Sequence, residues 1–157
     1  MTALLKKMNF KNQKKVILIN APESFEKEKR EMSFVTEVSS TLKSAKSVEF
    51  FLGFVTKQKE VDDLAGAVAP VLSEDGLLWF AYPKGTSKKY VCEFNRDSGW
   101  KMLGELGFEP VRMVAIDEDW SALRFRRVEK IKTMTRSFAM TEVGKKKVAA
   151  ARKKNGK

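Results

Sequence analysis

This 157-residue chain has three consecutive carboxylates, Asp117, Glu118 and Asp119, which are of a type and spacing that could take part in catalysis or metal binding. Paired carboxylates can exchange protons with a substrate or hold a magnesium ion. Consecutive acids between two strands are more often solvated turn residues, and the pattern favours that interpretation. We therefore predict no catalytic residue and no metal site here, and keep Asp117 and the adjacent Trp120 as candidate ligand contacts.

A lysine follows the most apolar segment of the chain. Residues 77–82 are all apolar, and Pro83 and Lys84 end the run. A strand that is apolar on both faces belongs in the middle of a sheet with helices on both sides. Such sheets bind ligands just beyond the carboxyl ends of their strands, which is where Lys84 and, after the first strand, Asn20 are expected.

These positions predict a small-molecule site. In it, Lys84 and Arg96 would hold an anionic group. Asn20 and Asp97 would supply hydrogen bonds, and Trp120 would stack on the ligand. The alternatives are structural: Lys84 is a solvated residue after a strand, Asp97 caps a helix, and Trp120 covers the apolar layer.

The composition excludes several classes of chemistry. The chain contains no histidine and a single cysteine, Cys92. Hydrolysis by a serine–histidine or cysteine–histidine pair is therefore excluded, a zinc site is not expected, and no internal disulfide can form. No segment has the ~18 apolar residues of a membrane span. We expect a cytoplasmic protein that is more plausibly a binding module than an enzyme.

The positive charge lies at the two ends of the chain. The net charge of +11 divides into +5 over residues 1–15, −2 over residues 16–128 and +8 over residues 129–157. This distribution predicts basic tails that contact an anionic partner, either nucleic acid or an acidic protein surface; the alternative is a tail that only aids solubility. The candidate contact residues are Lys145, Lys146, Lys147, Arg152, Lys153 and Lys154.

The order of the predicted elements indicates an α/β fold. Strands are expected at 16–19, 33–38, 48–55, 77–82, 111–116 and 121–128, and helices after Asn20 and over 60–73 and 98–106. This predicts a three-layer, Rossmann-like domain with a mostly parallel sheet and a C-terminal antiparallel hairpin. We place it at residues 14–128, between a basic N-terminal arm (1–13) and a flexible C-terminal tail (129–157). The alternating arginines of 121–128 suggest an edge strand.

Two patterns suggest a family. Gly76-Leu77-Leu78-Trp79 running into Pro83-Lys84, followed by residues 119–124 (Asp-Trp-Ser-Ala-Leu-Arg), resembles a family of small bacterial proteins of unknown function. The chain also resembles the second half of class I S-adenosylmethionine-dependent methyltransferases, in which a Gly-Phe-x-Pro-Val strand like residues 107–111 leads to the final hairpin. This resemblance implies a methyltransferase-like fold over about residues 15–127.

The chain departs from the methyltransferase pattern where the cofactor binds. The resemblance implies a glycine-rich loop after the first strand and an acid after the second. Here the first position reads Asn20-Ala21-Pro22, and Glu37 is the match for the second. S-adenosylmethionine is therefore not predicted as a cofactor.

Three hypotheses on function follow. The first is a non-catalytic binding or regulatory module whose basic tails contact an anionic partner. The second is a small-molecule binding protein, for a nucleotide or an S-adenosylmethionine-like ligand, or a degenerate methyltransferase. The third is a homodimer that pairs through residues 123–128 as an open edge, although the sequence leaves the oligomeric state undetermined.

Overall fold

The computed structural model describes residues 1–94 and 98–130. The strands are β1 (Val16–Ile19), β2 (Val38–Ser39), β3 (Val48–Phe54), β4 (Leu72–Pro83), β5 (Phe108–Ala115) and β6 (Trp120–Arg127). The helices are α1 (Ala3–Lys7), α2 (Glu26–Val35), α3 (Gln58–Val68) and α4 (Lys101–Glu105), with 3₁₀ turns at Glu23–Phe25, Ala69–Val71 and Val128–Lys130. None of the helices in these ranges is long and apolar enough to cross a bilayer.

The strands form one mixed sheet in the order β2-β1-β3-β4-β6-β5. The first four strands run parallel, while β6 is antiparallel to both β4 and β5. This confirms the predicted Rossmann-like sheet with an antiparallel C-terminal pair. The chain goes from β1 outward to β2 and then back across to β3, so the topological switch point lies between β1 and β3.

The apolar run in β4 is explained by two apolar layers. Leu77, Trp79 and Ala81 belong to a front cluster, which is covered by α1 and α2. The alternate residues, beginning with Leu78 and Phe80, belong to a back cluster, which is covered by α3 and α4. Because successive side chains of a strand point to opposite faces, a strand between two layers must be apolar at every position.

The predicted second strand is wrong over most of its length. Helix α2 continues to Val35, and β2 contains only Val38 and Ser39. The Ser33 hydroxyl donates to the Lys29 carbonyl at 2.9 Å, one helical turn earlier. Phe34 is 81% exposed. Residues 33–35 are therefore exposed at the end of α2, whereas Val38, in β2, packs against the front cluster.

Strand β6 is not the edge strand that the alternating arginines suggested. Its residues pair with β4 on one side, as Leu78 with Phe125, and with β5 on the other, as Val114 with Ala122. Strand β5 is the edge strand on this side of the sheet. Dimerisation by edge pairing through residues 123–128 is excluded because both sides of this backbone are already used.

The first thirteen residues differ from the separate arm that their lysines suggested. They include α1, and the side chains of Leu5, Met8 and Phe10 are at most 2% exposed. The Trp79 indole N–H donates to the Met8 carbonyl at 3.2 Å, and the Phe10 and Phe50 rings meet edge-to-face at 5.6 Å. The segment is therefore part of the front layer, with its lysines on the outside.

Candidate functional site

A cavity opens beyond the carboxyl end of β4. Its volume is about 500 Å³, which lies within the range of small-molecule sites. It is lined by Tyr82, Pro83, Lys84, Gly85, Ser87, Tyr90, Val91, Cys92, Phe94, Met113 and Ser121. The site thus lies at the strand end where the sequence placed Lys84.

The loop over residues 84–94 forms one wall of the cavity and is tied down near both ends. The Lys84 N–H donates to the Asp119 carbonyl at 2.8 Å, and the Ser87 hydroxyl donates to Asp119 Oδ1 at 2.8 Å. The Glu93 N–H donates to the Thr56 carbonyl at 2.8 Å. These bonds hold the wall against the β5–β6 turn and against Thr56, which follows β3.

The lining combines one charged side chain with several hydroxyl groups and a thiol. Lys84 is the charged side chain among the lining residues, and the other polar groups are hydroxyls and the Cys92 thiol. Burial is the main cause that raises the pKa of Cys92, with Glu93 adding to it. The thiol is therefore protonated near neutral pH and is a poor nucleophile. The Tyr82 hydroxyl donates to Met113 Sδ at 3.5 Å across the cavity wall.

Asp117 organises the turn between β5 and β6. Its Oδ1 accepts from the N–H groups of Asp119 at 2.8 Å and Trp120 at 2.9 Å. Its Oδ2 accepts from the Ser24 hydroxyl at 3.0 Å, which joins this turn to the segment after β1. The carboxylate therefore does structural work outside the cavity. Within residues 1–94 and 98–130, no three acidic or cysteine side chains are grouped so as to hold a metal ion.

Trp120 belongs to an aromatic cluster made of Phe25, Phe54, Tyr90 and Trp120. The Trp120 ring is 5.1 Å from Phe54 and 4.8 Å from Tyr90, and Phe54 is 5.3 Å from Phe25. Trp120 is 3% exposed. It could stack on a ligand only by leaving this cluster, so the structure supports the interpretation that it covers the apolar layer.

The segment after β1 does not form a cradle for S-adenosylmethionine. Asn20 is exposed and has a left-handed backbone (φ 56°), and it is followed by Ala21 and Pro22 in place of glycines. Proline has no N–H to offer a ligand, and the side chain that follows is the acid Glu23. Glu37 precedes β2, so it lies at the opposite end of the sheet from the switch point. The residues present therefore do not fit the cofactor that the fold implies.

The structure brings together only part of the predicted site. Lys84 lines the cavity, whereas Asn20, Asp117 and Trp120 lie at the same end of the sheet without lining it. Arg96 and Asp97 lie outside the described residues, and so do the tail residues Lys145, Lys146, Lys147, Arg152, Lys153 and Lys154.

Sequence analysis missed most of the lining, including Ser87, Tyr90, Cys92 and Ser121. The one available signal was the long polar segment between the central strand and the next helix. Loops that long in a compact domain often form a site.

No protein-family model and no curated protein sequence matches this chain. Solved structures do match. A protein of Sulfolobus solfataricus assigned as a type 11 methyltransferase superposes with a TM-score of 0.52 at 13% identity, over 80% of this chain and 89% of that one. The pyocyanin biosynthetic protein PhzM superposes with a TM-score of 0.53 at 10% identity, over 79% of this chain and 53% of the PhzM chain.

Identities this low establish a shared fold but carry no information about a shared activity. The sheet order, the antiparallel final pair and the two superpositions agree with one another. The chain therefore has the Rossmann-like fold of the class I S-adenosylmethionine-dependent methyltransferases.

Proposed function

We propose that this protein is a non-catalytic binding module on a methyltransferase-like fold, and that its basic C-terminal tail contacts an anionic macromolecule. The observation that carries the proposal is the segment after β1. Asn20, Ala21 and Pro22 stand where a cofactor cradle would need glycine amides. A methyltransferase without that cradle keeps a scaffold but has no methyl donor.

The described acids and the cysteine give no support to a different reaction. Asp117 and Asp119 accept hydrogen bonds that hold the β5–β6 turn and the 84–94 loop. The raised pKa of Cys92 keeps its thiol protonated. General acid–base catalysis also lacks its commonest residue, because the chain has no histidine.

The charge distribution supports an anionic partner. Residues 129–157 carry +8 of the total +11, so residues 1–128 carry the remaining +3. A segment that neutralises phosphates releases counterions and binds with strong salt dependence, whatever the sequence of the nucleic acid. An acidic protein surface would show the same charge preference with a different partner.

The test removes the charge of the tail in the full-length chain. One variant replaces Lys145, Lys146, Lys147, Arg152, Lys153 and Lys154 by glutamine, and its control replaces the five lysines by arginine. Binding of single-stranded DNA and of polyglutamate is measured against salt concentration. If all six residues meet phosphates, the glutamine variant should reduce the slope for DNA by up to about 4, at about 0.7 per phosphate, and the arginine variant should keep it. Equal slopes in all three proteins would contradict the proposal.

A second candidate function is small-molecule binding in the cavity, and the cavity itself favours it. A volume of about 500 Å³ with one lysine suits a small anionic ligand. A thermal-shift screen of nucleotides and S-adenosylmethionine tests this. A ligand at about 100 times its dissociation constant stabilises a protein by about 2.7 kcal/mol.

Two lysines of the same loop make the cavity test specific. Lys84 lines the cavity, while Lys88 is exposed and does not. A shift that survives Lys88→Ala and is lost in Lys84→Ala would support the cavity as the site. A shift unchanged by Lys84→Ala would count against it.

A further inference from the structure

Three arginines lie together on the front face of the β5–β6 pair. Arg112 of β5 is directly opposite Arg124 of β6, and Arg126 is two residues further along β6. We call these three residues the arginine cluster. Ala122 and Trp120, which precede Arg124 at two-residue steps, belong to the front apolar cluster. Alternation along the strand therefore puts Arg124 and Arg126 on that same face.

Holding these charges together opposes folding. Like charges directly opposite one another in an antiparallel pair destabilise it. Neither of two ion pairs among the described residues, Lys59 with Asp63 and the N-terminus with Glu31, involves the cluster. Glu109 is opposite Arg126, so the four side chains together still carry +2.

Arg124 is the most constrained member of the cluster. It is adjacent to Trp79 of β4, whose ring is fully buried beneath α1. Its Nε is inaccessible to solvent and has no hydrogen-bond partner among the described residues. Burial, and then Arg126 and Arg112, lower the pKa of this guanidinium. A buried donor without an acceptor is costly, so Arg124 adds to the energetic cost of holding the cluster together.

The neighbouring Arg127 shows what a structural arginine looks like in this fold. Its guanidinium donates to the carbonyls of Ala69, Leu72 and Ser73 at 3.2–3.3 Å. It therefore fixes the turn between α3 and β4. No comparable set of acceptors surrounds the arginine cluster in the part of the chain that is described.

We propose that the arginine cluster binds phosphates of a single-stranded nucleic acid backbone. The proposal rests on the proposed function and gives it a place on the folded domain. Guanidinium groups form two parallel hydrogen bonds with a phosphate, which makes arginine more suitable than lysine for this role. Consecutive phosphates of an extended strand can meet adjacent guanidiniums on one sheet face, whereas carboxylates of a folded acidic protein have no regular spacing.

The position of the cluster also links it to the tail. Strand β6 ends at Arg127, one residue after Arg126, so the basic segment that begins at residue 129 continues directly from the cluster. Helix α1 lies on the same face and carries the exposed Lys6 and Lys7. The cavity is at the other end of β6, where Trp120 pairs with Pro83. Variants can therefore separate the two sites.

The experiment measures the affinity of the full-length protein for labelled single-stranded DNA at several salt concentrations. The test variant is Arg112→Gln with Arg126→Gln, both of which are exposed. The charge-matched control is Lys43→Gln with Lys46→Gln. Each of these exposed lysines directly follows a residue, Leu42 or Ala45, that packs against the back cluster. Thermal unfolding midpoints of all variants verify that each is folded.

If the cluster binds two phosphates through Arg112 and Arg126, the salt slope of the test variant should fall by about 1.4, and the control should keep the wild-type slope. A test variant with the wild-type slope would overturn the inference, and so would an equal fall in the control. If the tail variant alone changes the slope, the proposed function stands without the cluster. If the wild-type protein binds no DNA, the inference is overturned, and the proposed function is then decided by the measurement with polyglutamate.

Discussion

Replacing Phe54 by alanine tests whether the switch-point end of the front layer is filled by protein. Phe54 is 2% exposed and packs edge-to-face against Phe25 and Trp120, with ring centroids at 5.3 and 5.1 Å. Removing a buried phenylalanine ring costs about 3–5 kcal/mol. Both aromatic contacts are lost at once, and the surrounding strands cannot close the space, so we expect about 4 kcal/mol.

That loss is a large part of the whole stability of a domain, which is typically about 5–15 kcal/mol. For a folded chain of this size, about 4 kcal/mol corresponds to a fall of roughly 15 °C in the melting temperature. Urea unfolding followed by far-UV circular dichroism measures the free energy without relying on the fluorescence of the nearby Trp120. If the slope of the free energy of unfolding against urea concentration is the same in both proteins, the shifted midpoint reports a change in stability.

Phe34 provides the matched control because it is 81% exposed on α2. Phe34→Ala should change the free energy of unfolding by no more than about 0.5 kcal/mol. A cost of less than about 1 kcal/mol for Phe54→Ala would refute the reasoning. It would mean that the aromatic cluster does not fill this end of the layer and that the crevice is open to a ligand.

Three further predictions concern the N-terminal helix, the cysteine and the cofactor. Leu5→Ala should cost about 2–5 kcal/mol in urea unfolding because the side chain is fully buried, and an unchanged midpoint would contradict a folded N-terminal segment. At about pH 8, iodoacetamide should modify Cys92 more slowly in the folded protein than in urea, because the raised pKa leaves less thiolate; the rate should climb with pH, and equal rates would contradict this. S-adenosylmethionine should leave the melting temperature unchanged, and a shift that survives Lys84→Ala would reinstate a cofactor site after β1.

The central part of the fold was predictable because its signals are local. Six apolar residues in a row at 77–82 can be accommodated only between two layers, and the structure has both. Helix α3 was predicted over 60–73 and is found at Gln58–Val68. Its end follows from Pro70, which lies in the 3₁₀ turn before β4 and cannot continue the helix.

The cavity was predictable only through Lys84. The position of a residue just after a central strand depends on that strand alone. The other walls come from the 84–94 loop, from β5 and from β6, which meet only through long-range hydrogen bonds such as Ser87 to Asp119. No spacing in the sequence records those contacts.

The sequence by itself determined the fold class, the lack of histidine chemistry and the absence of a glycine-rich segment after β1, since each depends on residue types in a short stretch. Only the tertiary structure decided that residues 1–13 are part of the front layer and that β6 is interior. It also brought Arg112 and Arg124 face to face across two strands. The physical reason is that burial and like-charge proximity arise from partners distant in sequence, and alternation along one strand is the same whether its neighbours are water or protein.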